Sequence, residues 1–217
     1  MTSAALPRRM LSTRDARWAR SLAAWLGRAG VRPNSVSLAG VVFAAAAAAG
    51  FVIVPDLGGG YRALALAFAA AAIQCRLLCN LLDGMLAVEE GFKTRSGEIY
   101  NDLPDRIADI LILSSAGYAW HQPYGPALGW IAAVTAVFTA YVRLLGGSVG
   151  TTQHFIGPMA KQHRMFTLTV ASLVAALESI LGAPGRALPI GLAVIIAGSM
   201  VTAIRRTRRI LDEVESR

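Results

Sequence analysis

Asn80, Asp83, Asn101, Asp102, Asp105 and Asp109 fall inside two otherwise apolar segments of the chain. Carboxylates and amides are costly in lipid unless they face a polar or ion-filled cavity, so this stretch reads as a site. Asn101, Asp105 and Asp109 follow one another at intervals of four residues and share one helix face, one turn apart, with Asp102 beside them. Asn80 and Asp83 are three apart, again on one face, and Gly84 allows a backbone or ligand to approach closely. Oxygen donors of this kind suit a hard cation such as magnesium, manganese or calcium. No histidine or cysteine stands at matching spacing, which argues against zinc. The chemistry expected is metal-assisted handling of phosphate.

Those residues must be held by helices in a bilayer. Of 217 residues, 55% are hydrophobic and 16% charged, and the mean hydropathy is positive, the balance of a polytopic membrane protein. The net charge of +8 lies between apolar runs, where basic residues meet anionic headgroups and set orientation, so no nucleic acid partner is expected. Cys75 and Cys79, one helical turn apart, are poorly placed for a disulfide and read as small packing residues.

From Arg14 to Arg28 apolar Trp18, Leu22, Trp25 and Leu26 alternate with arginines at helical spacing, the pattern of an amphipathic helix in the membrane interface. Pro33 ends it, and Asn34 or Ser35 is expected to cap the next helix. Apolar segments then run over about 35–54, 61–88, 97–120, 127–145, 165–181 and 187–204, each near the ~20 residues a bilayer requires. The N-terminal arginines, Lys93 and Arg95, Arg143 with Lys161 and Arg164, and Arg205 to Arg209 occupy alternate connections. Lysine and arginine favour cytoplasmic loops, so both termini and the polar ends of the second and third spans are expected in the cytoplasm. The domains expected are an interfacial helix and Pro-Asn linker over 1–34, a six-helix membrane domain over 35–209, and a cytoplasmic tail over 210–217.

The frame of Asn80, Asp83, Gly84, Ala87, Val88, Gly97, Asn101 and Asp105 resembles the CDP-alcohol phosphotransferases, which carry DxxDGxxAR, eight or nine residues, then GxxxDxxxD. Eight residues separate Val88 from Gly97. Asn80, Val88 and Asn101 depart from the family's Asp, Arg and Asp. The resemblance implies an all-α integral membrane protein, with six transmembrane helices in one bundle after an interfacial helix. It further implies transfer of a substituted phosphate from a CDP-linked lipid, CDP-diacylglycerol above all, to an alcohol or alcohol-phosphate acceptor, with release of CMP. In this frame Asp105 is the base and a metal ligand. Asp83, Asn80, Asn101 and Asp102 complete a Mg2+ or Mn2+ site. Gly84, Ala87 and Gly97 line the substrate, and Lys93 or Arg95 replaces the arginine lost at Val88. A homodimer is the family's common assembly. Independently, Arg143, Lys161 and Arg164 form a basic cluster suited to an anionic acceptor or headgroup. The alternative is a degenerate member that binds lipid or nucleotide without turnover, for which the two asparagines and Val88 speak.

Overall fold

The computed structural model describes residues 17–89 and 97–216, and the side chains within them apart from those of residues 88, 89, 97, 98 and 101. Among the described residues all regular structure is helical: α1 (Arg17–Arg28), α2 (Pro33–Val52), a 3-10 turn (Val54–Asp56), α3 (Gly59–Glu89), α4 (Gly97–Tyr118), α5 (Gly125–Ser148), α6 (Lys161–Leu181) and α7 (Ala187–Glu215). Five stretches, those of α2 with its following turn, α3, α5, α6 and α7, are long and apolar enough to cross a membrane. α4 has 22 residues but carries Asp102, Asp105, Arg106 and Asp109 in its first half.

Helix α2 packs on α3 and α4, α4 on α5, α5 on α7, α7 on α6, and α6 returns to α3. The six long helices therefore form a closed ring in which α3 and α4 flank α2. Small residues share the interior with large apolar ones such as Phe51, Ile112 and Leu168, and bulky residues also cover the outside. Alanines of α2, α3 and α5, with Ser172, Ser199 and Thr202, are buried, while Leu38, Phe43, Phe138, Phe166, Leu177 and Ile190 are exposed. Small interior residues let backbones approach where lipid supplies no hydrophobic drive between helices, and bulky residues outside meet the acyl chains. Buried hydroxyls turn inward to their own helix, as when Ser114 Oγ donates to the Ile110 carbonyl at 2.6 Å and Thr139 Oγ1 to that of Ala136 at 2.7 Å.

Three expected boundaries differ. Neither Asn34 nor Ser35 caps α2, because Pro33 is itself at the start of the helix, with Arg32 as N-cap and no side-chain cap bond. Proline at the first helical position has no amide to satisfy and is pre-set in φ. Helix α6 begins at Lys161 rather than near Met165, since Arg164 and Met165 both face inward and are buried. Helix α7 also continues as helix beyond Ile204 to Glu215, with Arg206 and Ile210 buried one turn apart on the α5 side. Both cysteines are free. In α1, Ala19 and Ala23 are buried with Leu82, Met85 and Leu86 of α3, while Trp18 and Trp25 are exposed.

The α4–α5 contact is the closest in the ring. A Cβ at Gly129 would stand 2.5 Å from the Ser114 carbonyl oxygen, and one at Gly117 would stand 2.4 Å from that of Gly125. Backbone on both sides leaves nothing flexible to yield. Gly129→Ala is expected to destabilise the bundle by about 1–3 kcal/mol, the usual cost of overpacking. A thermal melt in lipid nanodiscs, compared with Gly58→Ala, which has nothing within 4 Å of its added Cβ, measures this.

Candidate active site

Three aspartates of α4 stand close to one face, and each is paired with a basic residue from another helix. Nearest the helix start, Asp102 accepts two bonds from Arg143 Nη2 of α5, at 3.0 and 2.8 Å. One turn on, Asp105 Oδ1 accepts from Arg76 Nη2 of α3 at 2.9 Å, and its Oδ2 is bonded to the Lys161 ammonium of α6. A further turn inward, Asp109 Oδ2 pairs with Arg164 Nη2 of α6 at 2.9 Å, and Arg106 reaches it only at 3.7 Å. The i+3 partner expected from the helix alone is thus the weaker one. Asp109 is fully buried, and Arg164 is held as well by Thr139 Oγ1 and the Met159 carbonyl.

A cavity of about 590 Å³ opens beside these pairs. Asn80, Gln74 and Leu77 of α3, Asp102 and Asp105 of α4, Thr139 and Arg143 of α5, Lys161 and Arg164 of α6, and Arg206 of α7 line it. Trp18 of α1 stands at its edge. The 151–160 segment closes one wall and is tied to α7: Met159 N donates to Thr202 Oγ1 at 2.9 Å, and Arg206 Nε donates to the Ile156 carbonyl at 3.0 Å. Gly157, at φ +117°, passes so close to Thr202 that any Cβ would lie 2.5 Å from its methyl. This fastening sets where α6 begins, and so where Lys161 enters the cavity. Arg143 also stacks over Phe155, 5.3 Å from the ring centre.

Asp83 lies apart from the cavity wall and is buried; its Oδ2 accepts from Ser37 Oγ of α2 at 2.7 Å. It stays within electrostatic reach of both Lys161 and Asp105. Asn80 Nδ2 bonds back to the Arg76 carbonyl at 3.3 Å. Gly84, Ala87 and Gly97 lie on α3 and α4, the side chain of Asn101 is outside the description, and Lys93 and Arg95 lie outside the described residues. The structure thus brings together Asn80, Asp102, Asp105, Arg143, Lys161 and Arg164 on the cavity wall and leaves Asp83 off it, bonded to Ser37 of α2. The residue whose role the sequence reading missed is Arg76. Its signal was plain: a lone guanidinium in an apolar span, one turn before Asn80. Ser37 gave no such signal.

No three carboxylate, histidine or cysteine side chains among the described residues converge as a metal cage. What the described residues do bring together is Asp105, with the Lys161 ammonium on its Oδ2, and Asn80 and Asp102 on the same cavity wall. An ammonium on a cavity-wall carboxylate marks a place for a cation, and the lysine stem is flexible enough to release it. The donor set therefore fits a divalent ion, with Asn80 as a neutral oxygen donor beside it.

No family model matches the sequence. The chain is 29% identical over 192 residues to a phosphatidylinositol phosphate synthase of Streptomyces avermitilis, covering 85% of this chain and 74% of that protein. It is 27% identical over 183 residues to the phosphatidylinositol phosphate synthase of Mycolicibacterium smegmatis, covering 70% and 78%. Its fold matches the crystal structure of the Mycobacterium tuberculosis phosphatidylinositol phosphate synthase with CDP-DAG bound, with a TM-score of 0.72 at 23% identity over 90% of this chain and 94% of that one. The same enzyme in complex with manganese and citrate matches with a TM-score of 0.71 at 22% identity, over 89% and 88%.

Removing Asp109 would leave the buried Arg164 guanidinium without its carboxylate. Asp109→Ala is expected to cost about 3–5 kcal/mol, the usual result of leaving one partner of a buried ion pair. The yield of folded protein by size-exclusion chromatography, followed by a thermal melt, measures it, and restoration by the double change Asp109→Ala with Arg164→Met would confirm the stranded charge as the cause.

Proposed function

We infer that this chain, a member of the CDP-alcohol phosphotransferase family, is a membrane transferase of phospholipid biosynthesis that moves a substituted phosphate from a CDP-linked lipid donor to an alcohol acceptor and releases CMP. The observation that carries this reading is the cavity in which Asp105 stands among Arg143, Lys161 and Arg164. Carboxylate and basic groups on one wall are what a hydroxyl nucleophile and an anionic phosphate both need. The donor is CDP-diacylglycerol. The acceptor is an alcohol that itself carries a phosphate, by likeness to the phosphatidylinositol phosphate synthases and by the number of cations on the wall.

In this reading Asp105 Oδ2 accepts the proton of the acceptor hydroxyl as its oxygen attacks the phosphorus bearing the diacylglycerol. The bond from that phosphorus to the CMP oxygen breaks. Lys161 leaves Oδ2 when the substrates enter, carrying its charge to the phosphates and exposing lone pairs on that oxygen that would serve both the acceptor proton and a divalent ion. Arg143 and Arg164 hold the acceptor phosphate, helped by the N-terminus of α6, whose first residues line the cavity. Asp83, Asp105, Asn80, Asn101 and Asp102 are the residues that would hold Mg2+ or Mn2+. Bound there, a divalent ion neutralises charge on the pyrophosphate and makes CMP a better leaving group. Gly84, Ala87 and Gly97 line the donor path.

The same reading places α4 across the membrane as the sixth span and α1 flat in the interface, where exposed Trp18 and Trp25 serve as anchors. Residues 1–34 form the interfacial unit, 35–209 the membrane domain and 210–217 the tail. Both termini and the cavity face the cytoplasm, with alternate basic connections as the support, and two copies pair as a homodimer.

The test is CMP release by protein in nanodiscs containing CDP-diacylglycerol, with Mn2+ or Mg2+ and inositol phosphate, glycerol phosphate, inositol or serine. Release should depend on a phosphate-bearing acceptor and stop on chelation. It should fall about 10²–10⁴-fold in Asp105→Ala, the range for loss of a general base. Arg143→Ala should raise KM for the phosphate-bearing acceptor about 10–100-fold with a smaller change in kcat, as expected on losing a charged hydrogen bond used for binding. Donor binding without release for any acceptor would overturn the transferase reading in favour of a non-catalytic lipid-binding one.

A further inference from the structure

The site contains a cation that nothing in its expected chemistry requires. Arg76 enters from α3, is 1% exposed, and touches Asp105 twice, through the carboxylate Oδ1 at 2.9 Å and the backbone carbonyl at 3.5 Å. Its Nη1 is buried and has no hydrogen-bond partner among the described residues. It stands one helical turn before Asn80, one of the two positions where a neutral amide replaces the carboxylate of the resembled pattern. The side chain of Lys161, by contrast, is 22% exposed and lies on the cavity wall. Asp105 Oδ1 is thus held by a cation locked in place, while Oδ2 faces Lys161 on the cavity wall and, at 3.7 Å, Arg106.

Among the described residues three cations already face Asp105: Arg76 on Oδ1, and Lys161 and Arg106 on Oδ2, the last at 3.7 Å. Displacing Lys161 from Oδ2 opens one place for an added cation. Reaching Oδ1 would require moving a guanidinium that is 1% exposed and bonded to Asp105 twice.

We propose that Arg76 is a resident cation occupying Asp105 Oδ1 permanently, so that the site accepts a single divalent ion in exchange for Lys161 and no second one. The loss of carboxylates at Asn80 and Asn101 then matches the charge the protein already supplies. Two more carboxylates would be needed only if a second divalent ion had to be balanced. Arg76 is a positioning residue here: it fixes the plane of the Asp105 carboxylate and leaves Nη1 as a spare donor for an anionic oxygen. The proposal rests on the transferase reading for the presence of a divalent ion, yet is tested without turnover.

The experiment counts Mn2+ bound to the full chain in nanodiscs by electron paramagnetic resonance, with no nucleotide or acceptor present. The natural protein should bind one Mn2+ per chain. Lys161→Met should tighten that ion by about 10–100-fold, the scale on which neighbouring groups tune a metal site. Arg76→Gln combined with Asn80→Asp should admit a second Mn2+, whereas Arg76→Lys with Asn80→Asp should not. Size-exclusion profile and thermal melt of each variant, recorded with and without Mn2+, identify misfolding, and a misfolded glutamine variant is replaced by Arg76→Met. Two ions on the natural protein, or equal counts in the glutamine and lysine variants, would overturn the proposal. One ion bound without any CMP release would sustain it while removing the transferase reading.

Discussion

Charge held in a dry helical ring is the constraint on which the rest of this molecule depends. Asp102, Asp105 and Asp109 climb α4 at about one turn per step, from the cavity mouth to a fully buried position, and each takes its counter-charge from a different helix or from the far side of the ring. An isolated carboxylate at such depth would be expelled or neutralised. Pairing with Arg143, Arg76, Lys161 and Arg164 removes that penalty only if α3, α5 and α6 all stand in register with α4. The ion pairs therefore act less as a source of net stability than as a gauge of arrangement, since any helix out of place leaves a charge unanswered.

The small residues make that register attainable. Gly117, Gly125 and Gly129 bring α4 against α5 closely enough for Arg143 to reach Asp102. Gly157 lets the 151–160 segment lie on Thr202, which in turn starts α6 at Lys161. From there the chain of consequences reaches function: the positive end of α6, the Lys161 ammonium and the Arg143 guanidinium converge on one cavity beside a carboxylate. An anion entering from the aqueous side and a lipid entering between apolar helices would meet at Asp105. The exposed apolar side chains around the ring leave the donor's acyl chains in their own solvent.

Much of this was legible in the sequence for a physical reason. Polar residues in an apolar run have few acceptable destinations, so Asn80, Asp83 and the α4 acids announced a shared site, and the helical intervals placed them on common faces. The basic residues were harder. Arg143, Lys161 and Arg164 could be recognised as a cluster, but the same composition also serves orientation in the membrane, and only the fold assigns each to an acid. Spacing along a helix points only to Arg106 as a partner for Asp109. Arg164, 55 residues away, is nearer. Arg76 was visible as an anomaly and its meaning was not, because the contact with Asp105 crosses the ring between helices that are not neighbours. Helix ends were missed by a few residues where burial extends helices beyond their apolar cores, as at Lys161 and in the last turns of α7.

The cavity at Asp105 is where a CDP-linked lipid would be joined to an alcohol. Mass spectrometry of the lipids after a single turnover, with CDP-diacylglycerol in the bilayer and an isotopically labelled phosphate-bearing acceptor, reads that step directly. One labelled phosphodiester lipid is expected, formed mole for mole with CMP. CDP-diacylglycerol recovered intact from a protein that binds it, or converted to phosphatidic acid without incorporation of label, would contradict it.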